Sequence, residues 1–547
     1  MNRNFILAAF FLSGFAALAY EIVWTRLFYL FLGATTYSFS AVLVAFFIGI
    51  AAGSFFVSRR FEKIKSPASL FVIVEIFIGI SAVLTLFAFN LLDEPYLFFH
   101  SISNSYSELL ALSTLLVASV LIIPAALMGM TLPLAAKIFS EEESLGRDIG
   151  KIFSINVFGG IFGSLAAGFV MIPTVGHANS ILIAAVLNIV SAAILFFSGQ
   201  ENKKYVFAFF GIAAALIFFT AFYFSIDIEK AGVYHRTYSF DKEKWEEIKS
   251  SREILMKEEG VYGFISVEKE GEILALKVNG KTEGSTDGID MIVHTLLGYV
   301  PLLALEKPSE IFHVGLGTGI TLGATADFSE VEKVRVVEIN PAMIRASKFF
   351  NDANENATED ARVEIINDDA RTFLLLNKQK YDAIISEPSD IWISGEVNLF
   401  TKEFYEIAKS RLKEKGIFAQ WIPVFELGTE DTKIALKTLN AVFPRVKVFS
   451  VGGVLIVLGS NSDIDIEKFD EKIKENPKIF ENIKIISNSL EPGQSEKDFL
   501  KRSFRGDEKF LASIEARINS DDFPILEFAT AANNAYLPEN EFLSKSK

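Results

Sequence analysis

Residues 311–338 read IFHVGLGTGITLGATADFSEVEKVRVVE, and this stretch decides the fold of the second half of the chain. A short apolar strand, Ile311–Val314, runs into Gly315-Leu-Gly-Thr-Gly319 and then into a helical stretch. A second strand, Val334–Val337, ends in Glu338, 19 residues past Gly319. Glycines let a backbone turn sharply and approach a ligand, and an acid at the end of the second strand can take both ribose hydroxyls. Glycine loop, strand, helix and acid at this spacing point to a nucleoside site.

The pattern continues on both sides. Arg362–Ile366 reads as a third strand followed by Asn367-Asp368-Asp369, and Tyr381–Ser386 as a fourth followed by Glu387-Pro-Ser-Asp390. Gly416–Gln420 reads as a fifth, with two more expected at 446–450 and 454–459. Ligands bind beyond the carboxyl ends of such parallel strands. Glu338, Asp369, Glu387 and Asp390 all fall there. Upstream, Tyr262–Glu268 and Glu272–Val278 are β-rich, and Asn279-Gly280 is a strong hairpin-turn signal. A small antiparallel module is therefore expected at 260–300. A surface helix is expected between Asp241 and Lys257, in a linker spanning 227–259.

The first 226 residues are of another kind. Of the 547 residues, 51% are hydrophobic and 53 are Phe. About seven apolar runs near 5–32, 35–58, 67–90, 108–137, 148–172, 178–198 and 204–226 reach the roughly 20 residues that a helix needs to cross a bilayer. The first is not followed by a small-residue cleavage site, so it reads as a span and not as a leader. Arg59, Arg60, Lys63 and Lys65 lie in one short loop, and Lys137, Arg147, Lys151, Lys203 and Lys204 in alternate later ones. That places the N-terminus in the cytoplasm of a multi-pass protein of the cell membrane. Seven spans would then put residue 227 onward outside, and one span fewer would put it inside. Glu21, Arg26, Glu75 and Asn156 are polar residues in or near spans, where charge is costly. Gly159-Gly160, Gly163 and Gly168 read as helix-packing positions.

Charge and composition exclude several functions. Residues 1–226 hold 11 basic and 11 acidic residues, so the whole net charge of −15 belongs to the second half. Nucleic-acid binding needs a basic face and is not expected. There is no Cys, and the five His show no ligand spacing, so no disulfide, thiolate chemistry or metal is expected. The lipid bilayer is an expected partner. Homodimerisation is left open.

From Tyr262 to about Gly459 these motifs resemble spermidine synthases, the polyamine aminopropyltransferases. The carriers are Val278-Asn-Gly280, Gly315-x-Gly-x-Gly319, Val337-Glu338, Asp368-Asp369, Ser386-Glu-Pro-Ser-Asp390 and Leu399–Tyr405. With Tyr20-Glu-x-x-Trp-x-Arg26 and Met128-Gly-x-Thr-Leu-Pro133, the chain resembles the membrane-fused members. The resemblance implies a multi-pass helical membrane domain (1–226) and an α/β Rossmann-like domain of methyltransferase and spermidine synthase type (301–547). Between them lies the small β module.

The resemblance also implies roles. Gly315, Gly317, Thr318, Gly319, Glu338, Asp368 and Asp369 would hold decarboxylated S-adenosylmethionine, with Glu338 on the ribose and Asp369 facing adenine. Glu387 and Asp390 would orient and deprotonate an amine acceptor. Tyr262, Glu283, Asp287, Asp290, Trp392 and Gln420 would line the substrate. Three departures bear on the chemistry. Thr318 stands where the family has an Asp gripping the aminopropyl amine, Glu387 is one methylene longer than the usual Asp, and Glu283 replaces a Gln. A shift of about an ångström can cost roughly 100-fold. Thr318 therefore keeps a second reading open, methyl transfer from S-adenosylmethionine. A third is a non-enzymatic transporter or sensor whose nucleoside-binding domain gates the bundle.

Overall fold

The computed structural model describes residues 3–140, 144–198, 204–224, 251–425 and 427–529. Two compact units emerge, one holding Met1–Phe240 with Glu259–Gly263 and one holding Asp241–Glu258 with Phe264–Lys547.

The first unit is helical: α1 (Arg3–Leu32), α2 (Thr36–Arg60), α3 (Pro67–Phe89), α4 (Asp93–Ile102), α5 (Tyr106–Phe139), α6 (Leu145–Ala166), α7 (Ile172–Ser198) and α8 (Lys204–Tyr223). Thr35 caps α2, accepting from the Ser38 N–H, and Pro67 occupies the first turn of α3, where its missing N–H costs nothing. α5 runs unbroken through Pro124 and Pro133. Among the described residues, six helices are long and apolar enough to cross a membrane, against the seven runs expected. The difference lies in Leu145–Ser198, which is counted as one 54-residue element. At 1.5 Å per residue such a rod would far exceed the roughly 30 Å hydrocarbon core. It is interrupted at Gly176, whose φ of 80° and ψ of 174° are not helical. The stretches before and after Gly176 are the fifth and sixth expected runs. The short helix α4 occupies what reads in sequence as a loop.

Close backbone approach builds this unit. A Cβ on Gly159 or Gly163 would fall about 2 Å from the carbonyls of Phe11 and Phe15 on α1, so only glycine allows the α1–α6 contact. Gly168 makes no such approach. Buried polar side chains pair with one another: Tyr20 donates to Asn188 (2.8 Å), Asn188 to Glu75 (2.7 Å), and Trp24 to Thr85 (2.9 Å). Phe55, Phe162, Phe169 and Phe218 point outward and are more than half exposed. Apolar surface of that extent needs a covering.

The second unit contains two sheets. The smaller has the order β1 (Arg252–Gly260), β2 (Gly263–Glu270), β3 (Ile273–Val278), β4 (Lys281–Ser285), with β2–β3 and β3–β4 antiparallel. Asn279 and Gly280 both have positive φ, as a two-residue hairpin turn of mirror-image type requires. The helix expected up to Lys257 is corrected here: Arg252–Lys257 lies in β1, and 241–250 fall outside the described residues. Pairing with the neighbouring strand outweighs the helical propensity of Glu, Leu, Met and Lys in this run. Arg252 also reaches inward to Glu268 (3.4 Å), which Lys277 contacts as well. Removing one member of such a buried ion group costs about 3–5 kcal/mol.

The larger sheet has the order β12-β10-β11-β9-β8-β5-β6-β7. Its centre is parallel: β5 (Glu310–Val314), β6 (Lys333–Glu338), β7 (Val363–Asn367), β8 (Tyr381–Ser386) and β9 (Leu412–Ile422). β10 (Arg445–Val451), β11 (Val454–Ser460) and β12 (Phe504–Asp507) complete one edge in antiparallel fashion. β12 gave no sequence signal. The strands step outward from β5 to β6 and β7 on one side and to β8 and β9 on the other. The crevice between β5 and β8 is thus the topological switch point where ligands bind in open α/β sheets.

Candidate active site

The loop after β5 is glycine by necessity. Gly315, Gly317 and Gly319 have φ of 85°, 54° and 81°, a region that costs side-chain-bearing residues strain. The loop is fastened by two hydrogen bonds, Gly315 N–H to Val337 O (2.9 Å) and the Asn354 side-chain amide to Thr318 O (2.9 Å). Glu338, at the end of β6, points back at it. One carboxylate oxygen accepts from the Leu316 N–H (3.0 Å) and the other from the Asn340 N–H (2.7 Å). Burial pushes the Glu338 carboxyl up, and these backbone donors oppose that. A carboxylate has about four acceptor sites, so two remain for a diol. Asp369 caps the helix Ala370–Leu376 through the Thr372 N–H (2.6 Å), and Asp368 is exposed and accepts from the Asp369 N–H. Thr318 is buried, with its methyl group facing the backbone of Gly284.

The loop after β8 faces that glycine loop, with the Glu387 carbonyl 3.5 Å from where a Cβ on Gly315 would stand. Glu387 pairs with Nδ1 of His294, on the helix Gly288–Leu303. Burial would lower His294, but the facing Glu387 carboxylate outweighs it and holds the imidazole above its ordinary value. The Thr321 hydroxyl bonds the His294 carbonyl (3.1 Å) and so ties the helix to the glycine loop's helix.

A second group lies beside it. Asp390 is fully buried, with its Oδ2 2.6 Å from Lys281 Nζ. Glu283, two residues along β4 from Lys281 and on the same face, receives a hydrogen bond from Ser389 (2.6 Å). Burial raises Glu283, while Lys281 lowers it. Glu396 faces the same acids. Burial, and then Glu283, Glu338 and Asp390, push it up to about 7. Neither Lys281 nor Glu396 was singled out in the sequence. Only the two-residue spacing of Lys281 and Glu283 hinted at the first, and nothing local marked the second.

The remaining expected residues are distributed unevenly. Asp290 accepts from Ser285 (2.6 Å) and adds to the field on His294. Asp287 is exposed, and its carboxylate caps the helix Gly288–Leu303. Tyr262, in the turn between β1 and β2, is exposed and groups with the helical unit. Trp392 and Gln420 are buried, and the indole N–H of the one and the side-chain carbonyl of the other find no partner among the described residues. The hydroxyl of Ser386, cross-strand neighbour of Gln420, is likewise unpaired. Such orphaned atoms at the carboxyl ends of β8 and β9 suit a polar ligand. His313 is a core residue bonded to Thr325 (3.0 Å), its pKa lowered by burial to about 4.

Residues 290–452 match the spermine/spermidine synthase domain. Polyamine aminopropyltransferase 2 of Aquifex aeolicus is 25% identical over 472 residues, covering 85% of this chain and 89% of that protein. That length exceeds everything after residue 226, so the likeness runs into the helical half. The polyamine aminopropyltransferase of Buchnera aphidicola subsp. Acyrthosiphon pisum is 30% identical over 220 residues, covering 38% of this chain and 77% of that protein. The spermidine synthase structure from Thermotoga maritima aligns at 24% identity and a TM-score of 0.36, covering 41% of this chain and 78% of that one. The chain belongs to the spermidine synthase family of polyamine aminopropyltransferases.

Proposed function

We propose that the chain is a membrane-embedded aminopropyltransferase that moves the aminopropyl group of decarboxylated S-adenosylmethionine onto a polyamine or another amine. The observation that carries this reading is the Glu387–His294 pair, set opposite the glycine loop and next to Asp390. The glycine loop and Glu338 hold the nucleoside, with Asp368 and Asp369 at its adenine side. Asp390, Glu283, Trp392 and Gln420 surround the amine. The acceptor nitrogen attacks the sulfur-bound methylene carbon, the C–S bond breaks, and methylthioadenosine leaves with the sulfonium's electron pair. The proton released by the attacking nitrogen passes to Glu387, a general base held in place by the imidazolium of His294.

Six span-length helices and an outward apolar face support a multi-pass membrane protein, and the basic loops support a cytoplasmic N-terminus. A sulfonium donor does not cross a bilayer, so the catalytic unit is expected inside. The chain has no native Cys, and Ser251→Cys provides a single thiol at an exposed position. That thiol should resist an impermeant maleimide on intact cells, which means that one of the seven apolar runs does not cross. Labelling would place the unit outside.

The activity test incubates the full chain with decarboxylated S-adenosylmethionine and putrescine, and separately with S-adenosylmethionine. Methylthioadenosine in the first tube is expected. S-adenosylhomocysteine in the second would favour methyl transfer, the reading that Thr318 leaves open. Neither product, with nucleoside still bound, would overturn both.

A further inference from the structure

The loop after β8 carries Glu387, Asp390, Trp392 and Glu396 before it reaches Thr401, which caps the helix Lys402–Ser410. Its regular structure is one short turn, Glu396–Leu399. Within it the Ile393 N–H donates to Asp390 O (3.0 Å) and the Glu396 N–H to Ile393 O (3.0 Å), so Asp390 and Glu396 move as one piece. A loop with so little structure of its own must be held from outside, and the C-terminal stretch Asn519–Ala529 holds it. Asn519 is fully buried. Its side-chain amide donates to Phe400 O (3.0 Å), and its carbonyl accepts from the Lys402 N–H (3.0 Å). Its own N–H donates to the Thr438 hydroxyl (2.9 Å), and its side-chain oxygen accepts from the Leu526 N–H (3.2 Å). The Ser394 hydroxyl reaches Glu527 (3.5 Å).

One arginine joins this assembly to the nucleoside end. Arg371 lies two residues after Asp369, on the helix Ala370–Leu376 that the Asp369 carboxylate caps. Its guanidinium donates to Asn398 O in the site loop (2.9 Å). Both terminal nitrogens also donate to the Asp521 carboxylate, Nη1 to Oδ1 at 3.0 Å and Nη2 to Oδ2. The Asp521 N–H in turn donates to Glu403 (2.9 Å). A two-pronged pair of this kind fixes geometry as well as charge. The planar fork serves a carbonyl and a carboxylate together, which a lysine ammonium cannot do with the same geometry. Burial would raise the Asp521 carboxyl, but hydrogen bonds from Arg371 and Thr401 outweigh it and hold the group below its ordinary value. The pair is therefore charged at neutral pH. Asp369 belongs to the adenine side and Asp390 to the amine side, and a displacement reaction needs the two held in register.

We infer that Arg371, clamped by Asp521 of the C-terminal stretch, is a clip that sets the loop after β8 against the nucleoside end, so that donor and acceptor meet in line. The inference rests on the aminopropyl-transfer reading. Arg371 and Asp521 act through the loop, which makes them positioning residues and not catalytic ones.

The test uses the full-length protein and reads turnover, nucleoside binding and loop order separately. In Arg371→Ala, kcat at saturating donor and putrescine should fall by about 10- to 100-fold, the scale of an ångström-sized misplacement. Methylthioadenosine affinity, measured by calorimetry, should be unchanged. Arg371→Lys should recover only part of the loss, because it keeps the charge without the fork. Asp521→Ala should also slow turnover, and the double variant should be no slower than Arg371→Ala alone, since two halves of one clip do not add. Hydrogen–deuterium exchange at residues 393–400 should quicken in Arg371→Ala, while exchange at the glycine loop 315–319 keeps its wild-type rate. Should Arg371→Ala fail to fold, Asp521→Asn preserves the side chain's size and carries the same readouts. An unchanged kcat overturns the inference, as does full additivity in the double variant. A methylthioadenosine affinity that falls in step with kcat overturns it too, since Arg371 would then serve the nucleoside directly. A wild type without turnover on any amine, whose loop exchange still responds to Arg371→Ala alone among the two loops, would sink the transfer reading and leave the clip standing.

Discussion

The two ends of the site are built in opposite ways. At the nucleoside end, Glu338 meets the Leu316 N–H across only 22 residues of sequence, and its partners are backbone groups. At the amine end, His294 meets Glu387 across 93 residues and Glu283 meets Ser389 across 106, side chain to side chain. A site made of backbone depends on glycine and on strand register, so it tolerates little change and keeps its specificity. A site made of side chains can be re-charged one residue at a time. Thr318, Glu387, Glu283 and Lys281 all belong to this second kind.

The largest effect expected from this contrast is on chemistry without binding. Glu387→Gln keeps a polar partner for His294 but cannot take a proton. Turnover should fall by about 100- to 10,000-fold, the usual contribution of a general base. Methylthioadenosine affinity, measured by calorimetry, should barely move. A parallel loss of both would merge the two ends into one. The converse substitution, Glu338→Ala, leaves two backbone N–H groups without their acceptor. A hydrogen bond to a charged group contributes about 1.5–3 kcal/mol, so loss of even one bond to the ribose should weaken methylthioadenosine binding roughly 10- to 150-fold. Turnover at saturating donor should suffer much less. If Glu338→Ala left affinity intact, the nucleoside would have to be held elsewhere.

What the sequence revealed follows the same division. The strands β5 to β11 and the glycine loop were legible because each is a local pattern: an apolar run, a turn that needs positive φ, an acid at fixed distance. The Asn279-Gly280 hairpin was legible for the same reason. β1 was misread because its residues favour helix in isolation and become a strand only beside β2. β12 was invisible because four residues at a sheet edge carry no period. At the site, Lys281 and Glu396 escaped notice for a stronger reason. A lysine in a strand and a glutamate in a loop look like solvated surface residues, and only the fold brings them to Asp390. The pairing of His294 with Glu387 likewise joins two elements that no sequence spacing connects.

Glu396 sharpens the comparison with the smallest effect. Its carboxyl is raised from 4.5 to about 7 by burial and by the facing acids. The folded chain therefore holds this proton more tightly than the unfolded chain does. The contribution to stability is complete below about pH 4.5 and is lost as the pH rises to 7. Above that, an ionised Glu396 confronts Glu283, Glu338 and Asp390 with only Lys281 in opposition. Glu396→Gln removes the ionisation and should stabilise the protein at pH 8 while changing little at pH 5. The side chain is partly exposed, so solvent screening reduces the gain to about 2–4 °C in the thermal midpoint of the purified protein. Glu338 is raised as well, by burial, but its backbone donors oppose the shift. A gain for Glu396→Gln that is equal at both pH values would come from packing and not from charge. The amine end would then be no more titratable than the nucleoside end, and the contrast between them would rest on connectivity alone.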